Sequence, residues 1–456
     1  TQDSSSAASD VYKRQPGVVL RERDLTNATI VGDSALTAAI VSSFQKGPID
    51  QIVNIADQKS LISVFGTPKE ANAEDWLVAS EFLGYGGRLA VVRASSGVTN
   101  AANGGGTLIK NDAEWDSGVG NTKIFAARSA GTWGNGIKVV VVDRGADQII
   151  TLASAPSNPP SAGDTVTFNV SGVAKSAELV EISGLDLTVV LDDPTVLISD
   201  SDNIEGTTIN AGNAGADINV ASVKDAYTNT SIGSTGLKLS AIGPRPGTSS
   251  FASDRGVGYD EVHVGVIDTT GDVSGAANTV LERFTFLSKI SDAKSPEGSS
   301  LYYKDIINDQ AQFIFSGAAV GSLFEPNSTG GGKAWGVASS TLASGDFFKL
   351  SGGNETDLSG GTDDYAYTAG EVTAGYDLFL DTEETEVDFV LMGGSMGSEA
   401  DTKTKAQKAV AIAAARKDCI AFVSAFKGNQ VGSGGSALTA SQQKTKTVNF
   451  FNTITS

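Results

Sequence analysis

Val387-Asp-Phe-Val-Leu-Met392, the bend Gly393-Gly-Ser-Met-Gly397, the run Glu399 to Lys417 and then Cys419-Ile-Ala-Phe-Val423 decide how this chain folds. Branched and aromatic residues in a short run suit a strand. The alanine-rich run after the glycine bend suits a helix, because alanine loses least on entering one. Ser398 stands where a helix cap is needed, with Asp401 three residues on as its capping-box partner. Strand, helix, strand in one stretch is a βαβ unit, whose strands should be parallel and whose crossover right-handed.

Working outward, the same texture appears near the start. Thr37-Ala-Ala-Ile-Val41 reads as a buried strand, and Leu61, Ile62, Val64 and Phe65 as a short helix stopped by Gly66-Thr-Pro68. Trp76, Ala79, Ser80 and Leu83 recur at helical spacing between Ala73 and Gly84, and Arg88-Leu-Ala-Val-Val-Arg93 returns as a strand. This alternation is an α/β signature. Strands resume from Ile124 to Val142 around the turn Gly131-Thr-Trp-Gly-Asn-Gly136, after a Ser/Asn/Gly-rich loop.

From about Arg144 to Gly258 the pattern changes. β-Branched runs such as Asp164-Thr-Val-Thr-Phe-Asn-Val170 and Leu187-Thr-Val-Val-Leu191 alternate with Gly, Pro, Asn and Asp clusters, and no helix pattern is evident. An inserted all-β domain is expected there. Glu261-Val-His-Val-Gly-Val-Ile267 is then a strand. Val280, Leu281, Phe284, Leu287 and Ser288 fall on one side of a helix expected over about Ala277 to Ile290. Ser351 to Gly361 reads as a Gly/Ser/Asp-rich connection, and Ser441 to Ile454 as a last helix.

The residue inventory prunes the chemistry. The chain has 456 residues, enough for several domains, and 40% of them are hydrophobic, which suffices to build cores. Lys and Arg number 33 against 53 Asp and Glu, a net charge of −20, so nucleic acid and anionic lipid are repelled at long range. No apolar window is long enough to span a bilayer, and Thr1 to Gln15 lacks the apolar run of a signal peptide. A single cysteine, Cys419, allows no intrachain disulfide, and a single histidine, His263, rules out multi-histidine metal sites.

The chemistry that remains is thin. The Gly393–Gly397 bend is placed like a phosphate-binding loop, but it lacks the full G-x-G-x-x-G spacing and no Walker lysine follows, so a plain strand-to-helix turn is expected. Val262, Val264 and Val266 should pack inward and put His263 on the opposite face, at the surface or half-buried. Cys419 heads an apolar strand and should be an inert buried thiol. The acidic pairs Asp363-Asp364, Asp192-Asp193, Asp200-Ser-Asp202 and Asp381-Thr-Glu-Glu384 show no ligand spacing and read as solvated surface. No catalytic residue, metal ligand or cofactor is assigned.

Several segments together carry a resemblance. Pro16-Gly-Val-Val-Leu-Arg-Glu22, Gly47-Pro-Ile49, Leu61-Ile-Ser-Val-Phe-Gly66, Phe82-Leu-Gly-Tyr-Gly86 and Leu89-Ala-Val-Val-Arg-Ala94 stand in the order and at the spacing of the N-terminal part of contractile bacteriophage tail sheath proteins. Ala127 to Gly136 is similar to that family's turn, with Ser129-Ala130 in place of Tyr-Pro. Val280-Leu-Glu-Arg-Phe284 with Tyr302-Tyr-Lys-Asp-Ile-Ile-Asn308 resembles its middle section, and Val387 to Gly394 with Arg416-Lys-Asp-Cys-Ile420 the start of its C-terminal region.

The resemblance implies a structural protein, not an enzyme. Its subunits would form rings stacked helically around a tail tube, with baseplate and tail terminator proteins as further partners and neither nucleic acid nor membrane insertion involved. It also implies terminal arms that add strands to a neighbour's sheet, and Gly17, Val18, Val19, Leu20, Arg21 and Glu22 are the residues expected to do so. The expected organisation is an arm over 1–22, of which 1–15 resembles a peptide translated from linker DNA. A discontinuous α/β sheath core follows at 23–143 and 259–385, with the inserted, surface-exposed β-rich domain at 144–258. The last part, 386–456, reads as an incomplete C-terminal α/β domain, since sheath proteins run on past Arg416-Lys-Asp-Cys419; such a chain alone should aggregate. The sheath of a phage-derived injection device fits the same residues, and a secreted β-rich adhesin fits them less well.

Overall fold

The computed structural model describes residues 36–454 apart from 96, 144–145, 194, 211–214, 319–331, 349–352, 384 and 433–436, so the expected arm Gly17–Glu22 lies outside the described residues. Segments from the two ends of the chain build one sheet. β1 (Thr37–Ser42), β3 (Arg88–Arg93), β16 (Phe389–Leu391) and β17 (Ile420–Phe422) run parallel, and β2 (Ile52–Ile55) is antiparallel at one edge. The order is β17-β16-β1-β3-β2.

Both faces of this sheet are covered. α1 (Gln58–Phe65) and α2 (Ala73–Gly84) bury Leu61, Phe65, Trp76, Ala79 and Leu83 against Ala38, Ile40, Leu89 and Val91. On the opposite face α4 (Ala369–Asp377) and α5 (Glu399–Arg416) bury Val372, Tyr376, Ala409 and Ile412 against Ala39, Val41, Ala90, Val92 and Val390. Double coverage explains why β1 and β3 read as continuous apolar runs instead of alternating. Asp57, Thr368 and Ser398 cap α1, α4 and α5, each contributing about 1 kcal/mol.

A second, antiparallel sheet has the order β13-β12-β5-β15. β5 (Ile137–Val142) sends Val139 and Val141 to one core, shared with Val262, Val264 and Val266 of β12 (Glu261–Asp268), and Val140 and Val142 to the other. α3 (Tyr303–Gln310) buries Tyr303 and Ile307 in the first of these, beside β14 (Ile314–Ser316) and β4 (Phe125–Ala127). The ends of β5 and β13 are tied by an ion pair with both side chains out of solvent: Lys289 Nζ lies 2.7 Å from each carboxylate oxygen of Asp143.

Here two expectations fail. Residues 279–288 form a strand, β13 (Thr279–Ser288), and not a helix. Its pairing with β12 slips twice, matching Val262 to Leu287, Val264 to Phe284 and Ile267 to Val280, with Phe286 in the left-handed region at φ 57°. Each bulge adds a residue to β13. The apolar positions therefore fall three and four apart, which is the helical interval. The second failure is the Ser351–Gly361 stretch, where β15 (Gly353–Asp357) pairs with β5. Lys138 holds it through Glu355 and Asp357, at 3.2 and 3.0 Å, so charge and backbone recruit a strand that carries no apolar pattern.

Between these sheets in sequence, β6 (Gln148–Leu152), β7 (Thr165–Val170), β8 (Val173–Ser183), β9 (Asp186–Leu191), β10 (Asn203–Ile204) and β11 (Ile218–Asp225) close into a barrel, β10-β11-β6-β9-β8-β7. Ile150, Leu152, Val166, Phe168, Leu179, Leu187 and Val189 fill it. Single helical turns at Gly206–Ile209, Ala226–Asn229 and Ser250–Ser253 interrupt a region whose sequence shows no helix pattern. One guanidinium pins the chain where it goes in and where it comes out: Arg245 contacts Asp147, just before β6, at 3.2 Å and Asp225, the end of β11, at 2.6 Å.

Gly375 marks where α4 comes closest to the sheet, since a Cβ there would lie 2.6 Å from Val41 Cγ1. Gly375→Val should lower stability by about 1–3 kcal/mol in urea unfolding, because overpacking outweighs the small gain in helix propensity. An unchanged midpoint would show that α4 is free to shift.

Candidate functional site

Two places in the first sheet could carry function: the switch point where α/β sheets usually bind ligands, and the open edge at β17. The switch point lies beyond the carboxyl ends of β1 and β16, since the connections from these neighbours leave toward opposite faces. The Gly393–Gly397 bend is there, with Gly393 at φ 73°.

That place is already filled by a carboxylate from α2. Gly394 N–H donates to Asp75 Oδ1 at 2.6 Å, and a Cβ on Gly393 would lie 2.0 Å from the same oxygen. Ser42 and Tyr367 donate to Asp75 Oδ2 at 2.6 and 2.9 Å. Lys405, from α5 and fully buried, lies 3.3 Å from Asp75 Oδ1 and donates to Tyr367 Oη at 2.9 Å and Gly394 O at 3.2 Å. Burial pulls the Lys405 ammonium below its ordinary pKa and the Asp75 charge pulls the other way. Burial, and then Asp75, push the Tyr367 phenol far above its usual range. The Gly394 amide, one of those that could cradle a phosphate, thus holds the protein's own anion, which makes this part of the bend an internal joint.

The sequence reading did not find this joint. Its trace is Lys405 itself, a lysine on the face of α5 that also carries Thr402, Ala406, Ala409 and Ile412. Asp75 gives no comparable signal, because its partners come from β1, the residues before α4, and α5.

His263 is corrected. It lies opposite Val262 and Val264 as expected but is fully buried, because the segment carrying Tyr227, Leu239 and Ile242 covers that face. Its Nδ1 accepts from Phe286 N–H at 3.0 Å and its Nε2 lies 2.5 Å from Pro244 O, which fixes the Nε2–H tautomer. Burial lowers its pKa, and with both nitrogens engaged it has no lone pair to offer a substrate. Asp363 and Asp364 keep part of their surface exposed and also anchor turns: Asp363 accepts from Thr132 N and Oγ1 at 2.8 and 2.7 Å, and Asp364 from Gly97 N at 3.2 Å. Asp202 departs from the surface reading, being buried and accepting from Ser199 N and Oγ, each at 2.8 Å. Cys419 is half-buried, not buried, and burial raises its pKa. No grouping of three or more metal-ligating side chains occurs among the described residues, and no helix there is long and apolar enough to cross a membrane.

The second place is β17. Ile420 N–H bonds to Asp388 O at 2.9 Å and Met392 N–H to Phe422 O at 3.0 Å, so Ile420 and Phe422 turn their backbone groups toward β16. Alternation then points the N–H and C=O of Ala421 away from it. Among the described residues no strand pairs with β17 on that side. Ile420 is 62% and Phe422 54% exposed, although Phe422 packs edge-on against Phe389 with ring centroids 5.5 Å apart. An open edge flanked by exposed apolar side chains is a template for strand addition.

With the geometry of the switch point and of the open edge in hand, the chain can be set beside the proteins it is similar to. The tail sheath protein of Salmonella phage ViI is 24% identical over 338 residues, covering 68% of this chain and 50% of that protein. The tail sheath protein of Enterobacteria phage T4 is 25% identical over 451 residues, covering 91% of this chain and 62% of that one. The tail sheath protein of Vibrio phage KVP40 is 29% identical over 172 residues, covering 34% and 25%. The chain therefore spans about half the length of the first relative and under two-thirds of the second. No protein-family profile matches it. The solved sheath tail protein of Listeria innocua aligns with 93% of this chain and 57% of its own at 10% identity, with a TM-score of 0.35, too loose to bear on the fold.

Asp75→Ala would strand the Lys405 ammonium and should cost about 3–5 kcal/mol, with much of the loss recovered in Asp75→Ala/Lys405→Met. Equal midpoints for wild type and Asp75→Ala in urea would show that the joint is dispensable. Alkaline pH gives a second expectation. Burial raises the pKa of Tyr367 and Tyr376 in the folded chain, while unfolded phenols ionise near about pH 10. Above that value the unfolded state binds fewer protons, so stability falls as pH rises. The lowered Lys405 pKa favours folding with rising pH only until the unfolded amine titrates near about 10.4. Melting temperature should therefore drop from about pH 10.5 upward, and less steeply in Tyr376→Phe; equal slopes would refute the assignment.

Proposed function

We propose that this chain is a structural subunit of a contractile phage tail sheath, polymerising as helically stacked rings around the tail tube. Contraction of the assembled sheath then drives the tube through the host envelope. The observation that carries this reading is similarity, spanning 91% of the chain in one case, to proteins described as tail sheath proteins. Tail tube, baseplate and tail terminator proteins are the partners it implies. The finished protein would reside in the virion tail after assembly in the bacterial cytoplasm. The contractile energy lies in repacking of rigid bodies, with no nucleotide or metal required.

Within this reading, Gly17–Glu22 is the arm that adds a strand to a neighbour's sheet, with Val18 and Leu20 on one face. The β17 edge supports this, since Ala421 offers the backbone groups such a strand needs. The barrel is the body of a domain inserted at 144–258 and carried on the outside of the sheath. Residues 23–143 and 259–385 form the sheath core, and 386–456 part of a C-terminal domain.

Electron microscopy of the full-length gene product should show hollow striated cylinders. Deleting residues 16–22, or placing proline at Ala421, should abolish them while the circular dichroism melt is retained. Cylinders from either variant would refute the arm-to-edge assignment, and a wild type that stays monomeric at high concentration would overturn the sheath reading itself.

A further inference from the structure

The cleft between the first sheet's connections and the second sheet contains a cation that no carboxylate neutralises among the described residues. Lys46, Pro48, Ile62 and Val64 form one wall of a cleft of about 480 Å³, and Trp133 and Phe313 stand on the other. Lys46 is half-buried, with its Nζ 5.9 Å from the Trp133 ring centroid. Among the described residues no carboxylate pairs with it, and burial alone pulls its pKa down. Arg128, the other cation of the cleft, is already committed to Asp112 at 3.0 Å, Asn308 O at 3.1 Å and Ala311 O.

The position of Lys46 is built rather than incidental. Arg93, fully buried, spends its guanidinium on the carbonyls of Gly47 and Ala130, each at 2.9 Å, and so fixes both walls. Gln45 Oε1 accepts from Thr67 N–H at 3.1 Å, and Lys46 N–H reaches Phe65 O at 3.4 Å. Gly47 takes φ 100° with no room for a side chain, since a Cβ would lie 2.8 Å from the Phe65 ring. The backbone that carries Lys46 is held in place before any ligand arrives, which lowers the ordering cost of binding.

We propose that this cleft is a docking site for a carboxylate-bearing segment of a second copy of this chain, the acid pairing with Lys46 and an adjoining apolar side chain packing against Trp133 and Phe313. Charge complementarity selects the occupant. With 53 acidic residues against 33 basic, copies repel one another unless their carboxylates meet placed cations. Lys46 is such a cation, desolvated enough for the contact to resist screening. The inference rests on the self-assembling reading and adds to it a contact distant from the β17 edge.

The test is acetylation of the full-length protein with an N-hydroxysuccinimide ester, followed by peptide mass spectrometry, in dispersed protomers and in sedimented assemblies. Lys46 should react in the protomer and at least about tenfold more slowly in the assembly. Lys46→Glu should raise the concentration needed for assembly by about tenfold or more, with Lys46→Arg close to wild type. All three proteins should melt alike, because Lys46 makes no ion pair among the described residues. Equal Lys46 reactivity in both states, full protection in the dispersed protomer, or normal assembly of Lys46→Glu would each overturn the docking site while leaving self-assembly standing. Failure of the wild type to assemble at all would overturn the sheath reading and this inference with it.

Discussion

The Asp75 carboxylate is the contact on which the first sheet depends. It gathers a hydroxyl from the end of β1, a phenol from the approach to α4, an amide from the bend after β16 and an ammonium from α5. Asp75 and Lys405 are 330 residues apart, so the joint closes only after every residue between them has been made. A buried charge pair adds little net stability over an apolar one, but it tolerates no partial assembly, because either ion alone in that place is heavily penalised. The early strands β1 and β3 and the late strands β16 and β17 are therefore held to one register and one arrangement of helices.

The same carboxylate explains why the Gly394 amide of the glycine-rich bend is not free to receive a phosphate, although a cleft of about 520 Å³ lies beside it between Tyr367, Met396 and Asp401. The geometry that lets many α/β proteins bind phosphates is intact here, and an internal anion satisfies it. Two features lie away from that joint: the outer side of β17, with Ile420 and Phe422 beside it, and the cleft at Lys46. Both suit contact with another chain more than chemistry on a small molecule. The net charge of −20 gives such contacts their selectivity, because unspecific approach is repelled while a few placed cations reward the correct one.

Much of this fold was legible in the sequence, and the failures have definite causes. The βαβ unit at Val387–Val423, the helices around Trp76 and Glu399 and the continuous apolar strands Thr37–Val41 and Arg88–Arg93 announce themselves, because a sheet covered on both faces leaves an undiluted apolar signal. β13 was hidden by its two bulges, which convert a period of two into a helical interval. β15 was hidden because ion pairs with Lys138, and not apolar residues, hold it. His263 was placed on the correct face, but no pattern in its own strand could reveal that a segment starting some forty residues earlier, at Tyr227, covers it. The switch-point joint was visible only as a lysine on the wrong side of α5, and Lys46 not at all, because its half-buried setting is made by residues distant in sequence, Trp133 and Phe313.

The Arg245 clamp has an architectural corollary. The polypeptide departs for the barrel and comes back within reach of one guanidinium, so both crossings are tied together at one point. A module attached in this way can be enlarged, shrunk or exchanged across generations while the scaffold beneath keeps its register.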